Sequence, residues 1–321
     1  MSTARLLGYI ARRILVLIVL LILVSFAVFS LLYLSPGNPV QILLGPRVAS
    51  PATIRALTIQ YHLNKPFLDQ YWIWASDAVQ LKFGTSIQTS LPVSEEIGSR
   101  LPTSVFLGIY AFILTIIFGV GLGIVTALKR GSILDRGIVG AVVVGLSTPA
   151  FVGGVFLIYI FAILVHWFPA AGAGSGFVDE AWHLTLPAIA LALTTSAYVL
   201  KHTRAAMIGA LDQDYVIFAK ARGLSARRVV INYALRNALI PILTISGLLL
   251  SSLIVGAVFV EVTFSIQGIG QLLVESANTK DIPMIQCVAL LMAALIMIAN
   301  LLTDVVYMVV DPRIRLGRES R

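Results

Sequence analysis

The chain has 321 residues, of which 58% are hydrophobic and 12% are charged, and its mean hydropathy is +0.94. A soluble domain carries roughly 25% charged residues, so this composition excludes an ordinary soluble protein and indicates a membrane protein. The net charge of +8 is not gathered in a soluble domain, which argues against nucleic-acid binding, and a single cysteine, Cys287, excludes a disulfide within the chain.

Six long runs of the sequence contain no Asp, Glu, Lys or Arg. They are residues 14–46, 101–128, 137–178, 181–200, 237–260 and 282–303. A helix needs roughly 20 apolar residues to cross the hydrocarbon core, where it satisfies its own backbone hydrogen bonds. The runs therefore predict an all-α polytopic protein with six transmembrane helices, at about 14–34, 102–128, from 137 to before 166, 184–206, 238–260 and 282–308.

The orientation follows from the basic residues that flank the predicted spans. With the N-terminus inside, most of the 23 basic residues fall in cytoplasmic segments. The exceptions are concentrated in one long outside segment, where the rule is weak. Both the N- and the C-terminus are therefore predicted to be cytoplasmic.

Four regions of the chain are predicted from these boundaries. They are a cytoplasmic tail 1–13, a region 14–101 with the first span and a large outside segment, a core 102–308 with spans two to six, and a tail 309–321. Two prolines and a glycine at 35–39 end the first span, and short helices are expected at 53–61 and 67–81. This outside segment is either a cap packed on the outer end of the bundle or part of a docking surface for an external partner.

The core contains three further features. Pro149 interrupts span three and is expected to kink it. The outside segment 261–281 is expected to form a short amphipathic helix that lies on the membrane or dips into it. Glu261 and Asp304 are ionisable groups near predicted membrane interfaces, so either function or solvation at a helix end explains them.

The sequence carries no motif for catalysis, nucleotide binding or a metal. It has no G-x-x-x-x-G-K-[ST] and no H-E-x-x-H, and its four histidines lack ligand-like spacing. A serine hydrolase within the membrane would need Ser147 to pair with His183 or His202. We disfavour that pair because both histidines lie near span ends, and we predict no catalytic residues and no metal ligands.

Small polar residues in spans three to five are candidates for lining a solute pathway. Their alternative role is close helix packing, which is the more common use of such residues in membranes. The candidates are Ser147, Thr148, Thr195, Ser196, Ser251 and Ser252.

A basic stretch, residues 212–241, lies between the fourth and fifth runs. Asp212 is expected to cap a first short helix, Gly223 to end it in a left-handed conformation, and Ser225 to cap a second helix that runs toward Pro241. Arg228, Asn232 and Arg236 are expected on one face of that second helix. Such a stretch binds either a membrane surface or a protein, and the small residues around the turn favour a protein.

Residues 215–241 read Y-V-x-x-A-x-A-x-G-L-S-x-R-x-V-x-x-x-x-A-L-R-N-A-L-I-P. This pattern resembles the cytoplasmic signature loop of permeases in binding-protein-dependent ABC importers. More narrowly, it is similar to the B-type membrane subunit of the dipeptide/oligopeptide/nickel group, as are residues 84–86, 92–102, 147–151, 203–205 and 311–315. The Glu-Ala-Ala of the general consensus is Ile217, Phe218 and Ala219 here, and the proline lies at 241 instead of 236. Both departures are typical of the peptide/nickel group.

The resemblance implies a type I ABC importer permease in a bacterial or archaeal plasma membrane. Its partners would be a second homologous permease, two cytoplasmic ATPase subunits or one fused ATPase, an extracytoplasmic solute-binding protein and the lipid bilayer, with no nucleic acid. The ATPases would bind ATP and Mg, so this chain needs no cofactor. The residues expected to couple to the ATPase, within a loop of about 207–237, are Tyr215, Ala219, Lys220, Ala221, Arg222, Gly223, Leu224, Arg227 and Arg228.

The expected function is translocation of dipeptides or oligopeptides delivered by the binding protein. Nickel or another small solute is the alternative within the same group. A self-sufficient secondary transporter or channel would be expected to show repeats or buried charged relays, and an intramembrane serine hydrolase is the less favoured enzyme.

Overall fold

The computed structural model describes residues 3–34, 38–44 and 50–310. Within those ranges the chain is helical and forms no strand beyond an isolated antiparallel bridge between Thr85 and Pro92. This confirms the all-α class. Residues 35–37, part of the predicted break after the first span, lie outside the described residues. So do residues 311–315, which carry part of the family resemblance.

The chain divides into two compact units. The first unit comprises the residues up to Ser104 together with Gln267–Met297. Its helices are α1 (Thr3–Leu34), α2 (Pro39–Leu44), α3 (Pro51–Gln60), α4 (Phe67–Val79), the start of α5 (Val93–Leu128), α13 (Ile269–Thr279) and most of α14 (Ile282–Val310). The two short helices predicted in the outside segment are thus confirmed as α3 and α4.

Aromatic packing holds α4 against α1. The ring of Tyr71 lies 5.2 Å from that of Phe26 and 5.7 Å from that of Phe29, in edge-to-face geometry. The buried Tyr71 hydroxyl also shares a hydrogen bond of 2.9 Å with the hydroxyl of Ser25. The polar tip of an otherwise apolar ring therefore finds a hydrogen-bond partner inside the helix pair.

Helix α13 packs its apolar face on protein. Ile269 and Leu272 are buried in a cluster with Val93 of α5 and Met284 of α14. The hydroxyl of Ser104 accepts a hydrogen bond of 2.8 Å from the Ile269 amide at the start of α13. The amphipathic helix was predicted correctly, and the structure shows that its apolar side packs against α5 and α14.

The second unit comprises Val105–Ile266 and the residues from Ile298 onward. It contains the rest of α5, α6 (Ile133–Ser147), α7 (Ala150–Leu157) with a π-helical continuation (Ile158–Leu164), α8 (Phe177–His183), α9 (Thr185–Leu211), α10 (Asp214–Ala221), α11 (Ala226–Arg228) with a second π-helical stretch (Val229–Leu235), α12 (Arg236–Thr263) and the end of α14. Glu261 is 1% exposed near the end of α12, so of the two explanations offered for it, solvation at a helix end does not apply.

Helix α9 is the most buried element of this unit, and it packs against α6, α7 and α12. Its contact with α5 is made through Gly119 and Gly123, which lie one turn apart. A Cβ built on either glycine would lie 2.6 Å from the Cβ of Val199 or Thr203. The G-x-x-x-G spacing therefore permits a close approach of two helix backbones that no larger residue allows.

Four described helices are long and apolar enough to cross a membrane without a break: Ala11–Leu34, Val93–Leu128, Ala226–Thr263 and Ile282–Val306. Two further candidates are bent pairs, Ile133–Ser147 with Ala150–Leu164 at 110° and Phe177–His183 with Thr185–Leu211 at 52°. Counting each pair as one span gives the predicted six. The break at Pro149 is larger than a kink, since Thr148 leaves the helical conformation before it.

Candidate functional site

The basic stretch forms a compact helix–turn–helix between α9 and α12, which we call the α9–α12 loop (residues 212–235). It consists of α10, a turn at Gly223, α11 and the second π-helical stretch, which runs on into α12. Its second helix is therefore continuous with the fifth span. Helix α12 continues through Pro241, whereas the sequence interpretation had the second helix running only toward that proline.

Gly223 ends α10 in a left-handed conformation, as predicted. Gly223 has a φ of +78°, and its amide donates to the Lys220 carbonyl at 2.9 Å. The following amide, of Leu224, donates to the Ala219 carbonyl at 3.3 Å. A left-handed residue at the end of a helix satisfies the last carbonyls in this way, and glycine adopts it without a Cβ clash.

The predicted caps differ from the structure. Asp212 ends α9, and its carboxylate accepts a hydrogen bond from Arg130 at 3.4 Å. Gln213 precedes α10 instead, without a side-chain cap, so the expected capping role of Asp212 is wrong. Ser225 does occupy the extended position before α11, but its hydroxyl makes no capping hydrogen bond.

The second π-helical stretch alters the spacing of the basic residues. A π-helix closes i→i+5 hydrogen bonds, so residues four apart no longer stack as they do on an α-helix. Arg228, Asn232 and Arg236 are all exposed, but the single α-helical face predicted for them is interrupted by Val229–Leu235.

A small apolar core lies under the loop. Val216, Ala219 and Val229 are buried together, with Leu224 and Tyr233 packed against them. Ala219 is 3% exposed, so its small size is explained by packing within the chain itself. This core fixes α10 on α11 and makes the loop a preformed unit.

The outward face of the loop is apolar and basic. Phe218 is 69% exposed, Ile217 is 55% exposed and Tyr215 is 38% exposed. The other exposed members of the predicted set are Lys220, Ala221, Arg222, Gly223, Arg227 and Arg228, and Leu224 is half-buried. Ile217 and Phe218 were not among the predicted site residues. Because Val216 and Ala219 are buried one turn apart, the two residues between them must face outward.

Two of the pathway candidates lie at the break between α6 and α7. The hydroxyls of Ser147 and Thr148 donate to the carbonyls of Val143 and Val144, one turn back. The Thr148 carbonyl accepts from the Thr194 hydroxyl at 3.1 Å. The carbonyl freed by the break is thus bonded by α9, which ties this end of α6 to it.

The remaining pathway candidates point to different neighbours. Thr195 is 7% exposed and shares a hydrogen bond of 2.7 Å with Thr115 of α5. The Ser251 hydroxyl donates to Asn300 of α14 at 2.8 Å. Ser196 and Ser252 bond carbonyls of their own helices. Thr195 and Ser251 thus bond neighbouring helices, whereas Ser196 and Ser252 bond only their own.

The groups considered for a serine hydrolase are engaged separately. His183 contacts the carboxylate of Asp179 at 3.3 Å, and His202 bonds the Tyr198 carbonyl at 2.9 Å. The Ser147 hydroxyl bonds a backbone carbonyl. Among the described residues no three His, Cys, Asp or Glu side chains are grouped to hold a metal ion.

Residues 119–316 match the family of binding-protein-dependent transport system inner membrane components, and residues 6–108 match the N-terminal region of such membrane components. The chain belongs to this family. It is a multi-pass inner-membrane component of an ABC importer, not an enzyme, and such components work with an ATPase and a binding protein.

Curated relatives cover nearly the whole chain. It is 36% identical to the probable peptide ABC transporter permease protein y4tP of Sinorhizobium fredii and to the oligopeptide transport system permease protein AppB of Bacillus subtilis. It is 37% identical to the glutathione transport system permease protein GsiC of Escherichia coli K12. Each alignment spans 96% of this chain and 99% of the relative.

Solved structures support the fold. The MetNI methionine ABC transporter in an inward-facing conformation is similar with a TM-score of 0.56 at 15% identity, over 67% of this chain and 96% of that one. An amino acid ABC transporter crystallised with histidines is similar with a TM-score of 0.50 at 19% identity, over 68% and 94% of the two chains. These likenesses place the helical arrangement among ABC importer permeases and carry no argument about substrate.

Proposed function

We propose that this chain is the translocating subunit of an ATP-driven importer of small peptides. The observation that carries the proposal is the identity of 36–37% over 96% of the chain with relatives named for peptide, oligopeptide or glutathione transport. Alternating access requires a bundle with two packings that partners can bias. The bent spans and the small-residue contacts of α9 are consistent with such a bundle.

The α9–α12 loop is the proposed docking element for the ATPase. Its exposed Phe218 and Ile217 offer apolar anchors, and Arg222 and Arg227 beside them are exposed cations. Anchors of this kind, rimmed by charge, are where binding energy concentrates in protein interfaces. The ATPases, as two chains or one fused chain, would bind ATP and Mg, which leaves this subunit without a cofactor.

A second homologous permease would complete the pathway. Ser147 and Thr148, at the break between α6 and α7, are the proposed lining residues because they lie where the helix is interrupted. The binding protein would deliver its cargo on the side of the membrane opposite the α9–α12 loop.

Reconstitution tests this proposal. The chain would be co-expressed with its second permease, ATPases and binding protein, and the complex placed in liposomes with ATP inside. We expect ATP-dependent uptake of labelled tri-alanine or glutathione, and ATP hydrolysis stimulated by the loaded binding protein. Uptake of Ni²⁺ without peptide uptake would replace the peptide assignment by the nickel alternative, and absence of any ATP-dependent uptake would overturn the proposal.

A further inference from the structure

An ion pair joins the turn between α5 and α6 to the end of α9. The Arg204 side chain donates to both carboxylate oxygens of Asp135, from Nε at 2.8 Å and from Nη2 at 2.9 Å. The Asp135 side chain is 5% exposed, while that of Arg204 is 29% exposed. Two parallel hydrogen bonds from a planar guanidinium fix orientation as well as distance, which a single contact between flexible chains does not.

The same carboxylate shapes the turn. Asp135 also accepts the Gly131 amide at 2.9 Å, and its own amide donates to the Ser132 hydroxyl at 3.2 Å. Gly131 has a φ of +81°, a conformation that glycine adopts without strain. One buried carboxylate thus holds the α5–α6 turn in shape and holds α9 against it.

The pair lies directly before the α9–α12 loop. Arg204 is in the last two turns of α9, which ends at Leu211. The residue beside it, Thr203, is fully buried and packs on Gly123 of α5. An exposed pair of Arg130 and Asp212, at 3.4 Å, links the same turn to the residue that ends α9. Two ion pairs thus connect the last part of α9 to the α5–α6 turn.

We propose that Asp135 and Arg204 are positioning residues that transmit movement of the α9–α12 loop to α5 and α6. The inference rests on the proposed function, in which ATPases dock on that loop. Neither residue belongs to the α9–α12 loop or to the α6–α7 break, so their contribution would be to coupling and not to binding. Asparagine at 135 removes the charge that Arg204 pairs with, and lysine at 204 keeps the charge but cannot reproduce the bidentate geometry.

The test uses Arg204→Lys and Asp135→Asn in the complete reconstituted complex. Arg136→Gln is the matched control, because Arg136 follows Asp135 directly and is exposed. Uptake of labelled tri-alanine or glutathione, whichever the wild-type complex transports, and ATP hydrolysis are measured on the same vesicles. We expect the amount of peptide moved per ATP to fall at least about fivefold in both variants, while ATP hydrolysis per complex stays within about twofold of wild type. The control keeps the wild-type ratio.

A purely structural pair would give a different result. Uptake and hydrolysis would then fall together with the amount of assembled complex, and the ratio would stay at the wild-type value. Either that outcome or a wild-type ratio in both variants overturns the positioning role while leaving the proposed function intact. A wild-type complex that neither hydrolyses ATP nor takes up a probe overturns the proposed function, and the positioning role with it.

Hydrogen exchange supplies a readout that does not depend on transport. In the wild-type chain, binding of the ATPase subunits should slow amide exchange in the α9–α12 loop and also at 129–135, where the Gly131 amide bonds Asp135. In Arg204→Lys the slowing at the loop should persist and that at the turn should be lost. Equal slowing at the turn in both proteins contradicts the proposal.

Discussion

Gly123 shows how a single atom decides the contact between two helices. A Cβ at this position would lie 2.6 Å from the Thr203 Cβ and 3.0 Å from the Leu200 carbonyl. We expect Gly123→Ala to lower the free energy of unfolding by about 1–3 kcal/mol, because α5 and α9 must move apart. Thermal unfolding of the purified protein in detergent measures the effect.

Gly121 provides the control on the same helix. A Cβ there meets nothing within 4 Å, so Gly121→Ala should leave stability unchanged or raise it by up to about 1 kcal/mol through helix propensity. Equal stability of the two alanine variants would show that the α5–α9 approach is looser than these distances state.

Gly223 is constrained by its backbone and not by its neighbours. A Cβ there has open space around it, but the φ of +78° is unfavourable for other residues. Asparagine adopts this conformation at low cost, whereas a β-branched residue does not. We therefore expect Gly223→Asn to keep peptide uptake coupled to ATP hydrolysis and Gly223→Val to lose uptake several-fold while hydrolysis continues. Loss of coupling in both variants would mean that coupling requires a residue without a side chain at position 223, and not only a residue that tolerates a positive φ.

At the scale of the element, the α9–α12 loop combines a buried face with an exposed anchor. Phe218→Ala removes an exposed ring that packs on nothing in the small core of Val216, Ala219 and Val229. We expect weaker binding of the ATPase, by about tenfold or more in Kd, with unchanged thermal stability, since interface anchors contribute on the order of 2 kcal/mol each. Binding of purified ATPase subunits to the chain in nanodiscs measures this.

Phe177→Ala is the matched control for the loop. Phe177 is also highly exposed, at 75%, but it begins α8 in the predicted outside segment. The Phe177→Ala substitution should leave ATPase binding unchanged. If Phe218→Ala binds as wild type does, the docking face lies elsewhere on the basic side of the molecule.

The sequence predicts whole elements better than their connections. Charge-free runs mark segments that lipid can surround, and they predicted the six spans, counting each bent pair as one. The short helices α3 and α4 were predicted correctly from the turn signals around them. The Gly223 turn was predicted because glycine readily adopts the left-handed conformation that ends a helix. The roles of Asp212 and Arg204 were not predicted, because both depend on partners at Arg130 and Asp135 that lie far away in the chain.

The π-helical stretches were also not predictable from periodicity. Val229–Leu235 and Ile158–Leu164 have the composition of ordinary α-helix, so their residue types do not distinguish i→i+5 from i→i+4 hydrogen bonding. The same holds for the pathway candidates. Serines and threonines in a span satisfy both the packing and the lining interpretation, and the hydrogen bonds that Thr195 and Ser251 make to neighbouring helices depend on residues far away in the chain.

For the whole molecule, the orientation predicted from basic residues has a direct test. Cys287, the only cysteine, is 3% exposed within an apolar cluster. The wild-type chain should therefore react slowly with a maleimide that cannot cross membranes. It serves as the unlabelled control for variants that carry one further cysteine. Ser225 in the α9–α12 loop and Ser175 in the segment before α8 are both exposed, so each can be replaced by cysteine.

If the α9–α12 loop is cytoplasmic, Ser175→Cys should be labelled in intact cells after removal of any outer barrier, and Ser225→Cys only after the membrane is opened. The physical reason is that loops rich in lysine and arginine are retained inside, and the loop has the densest group of them. Labelling of Ser225→Cys in sealed cells would reverse the orientation and place the proposed ATPase dock on the wrong side. Labelling of both positions in sealed cells would instead mean that residues 175 and 225 lie on the same side, so that the bent pair between them, Phe177–His183 with Thr185–Leu211, does not cross the membrane.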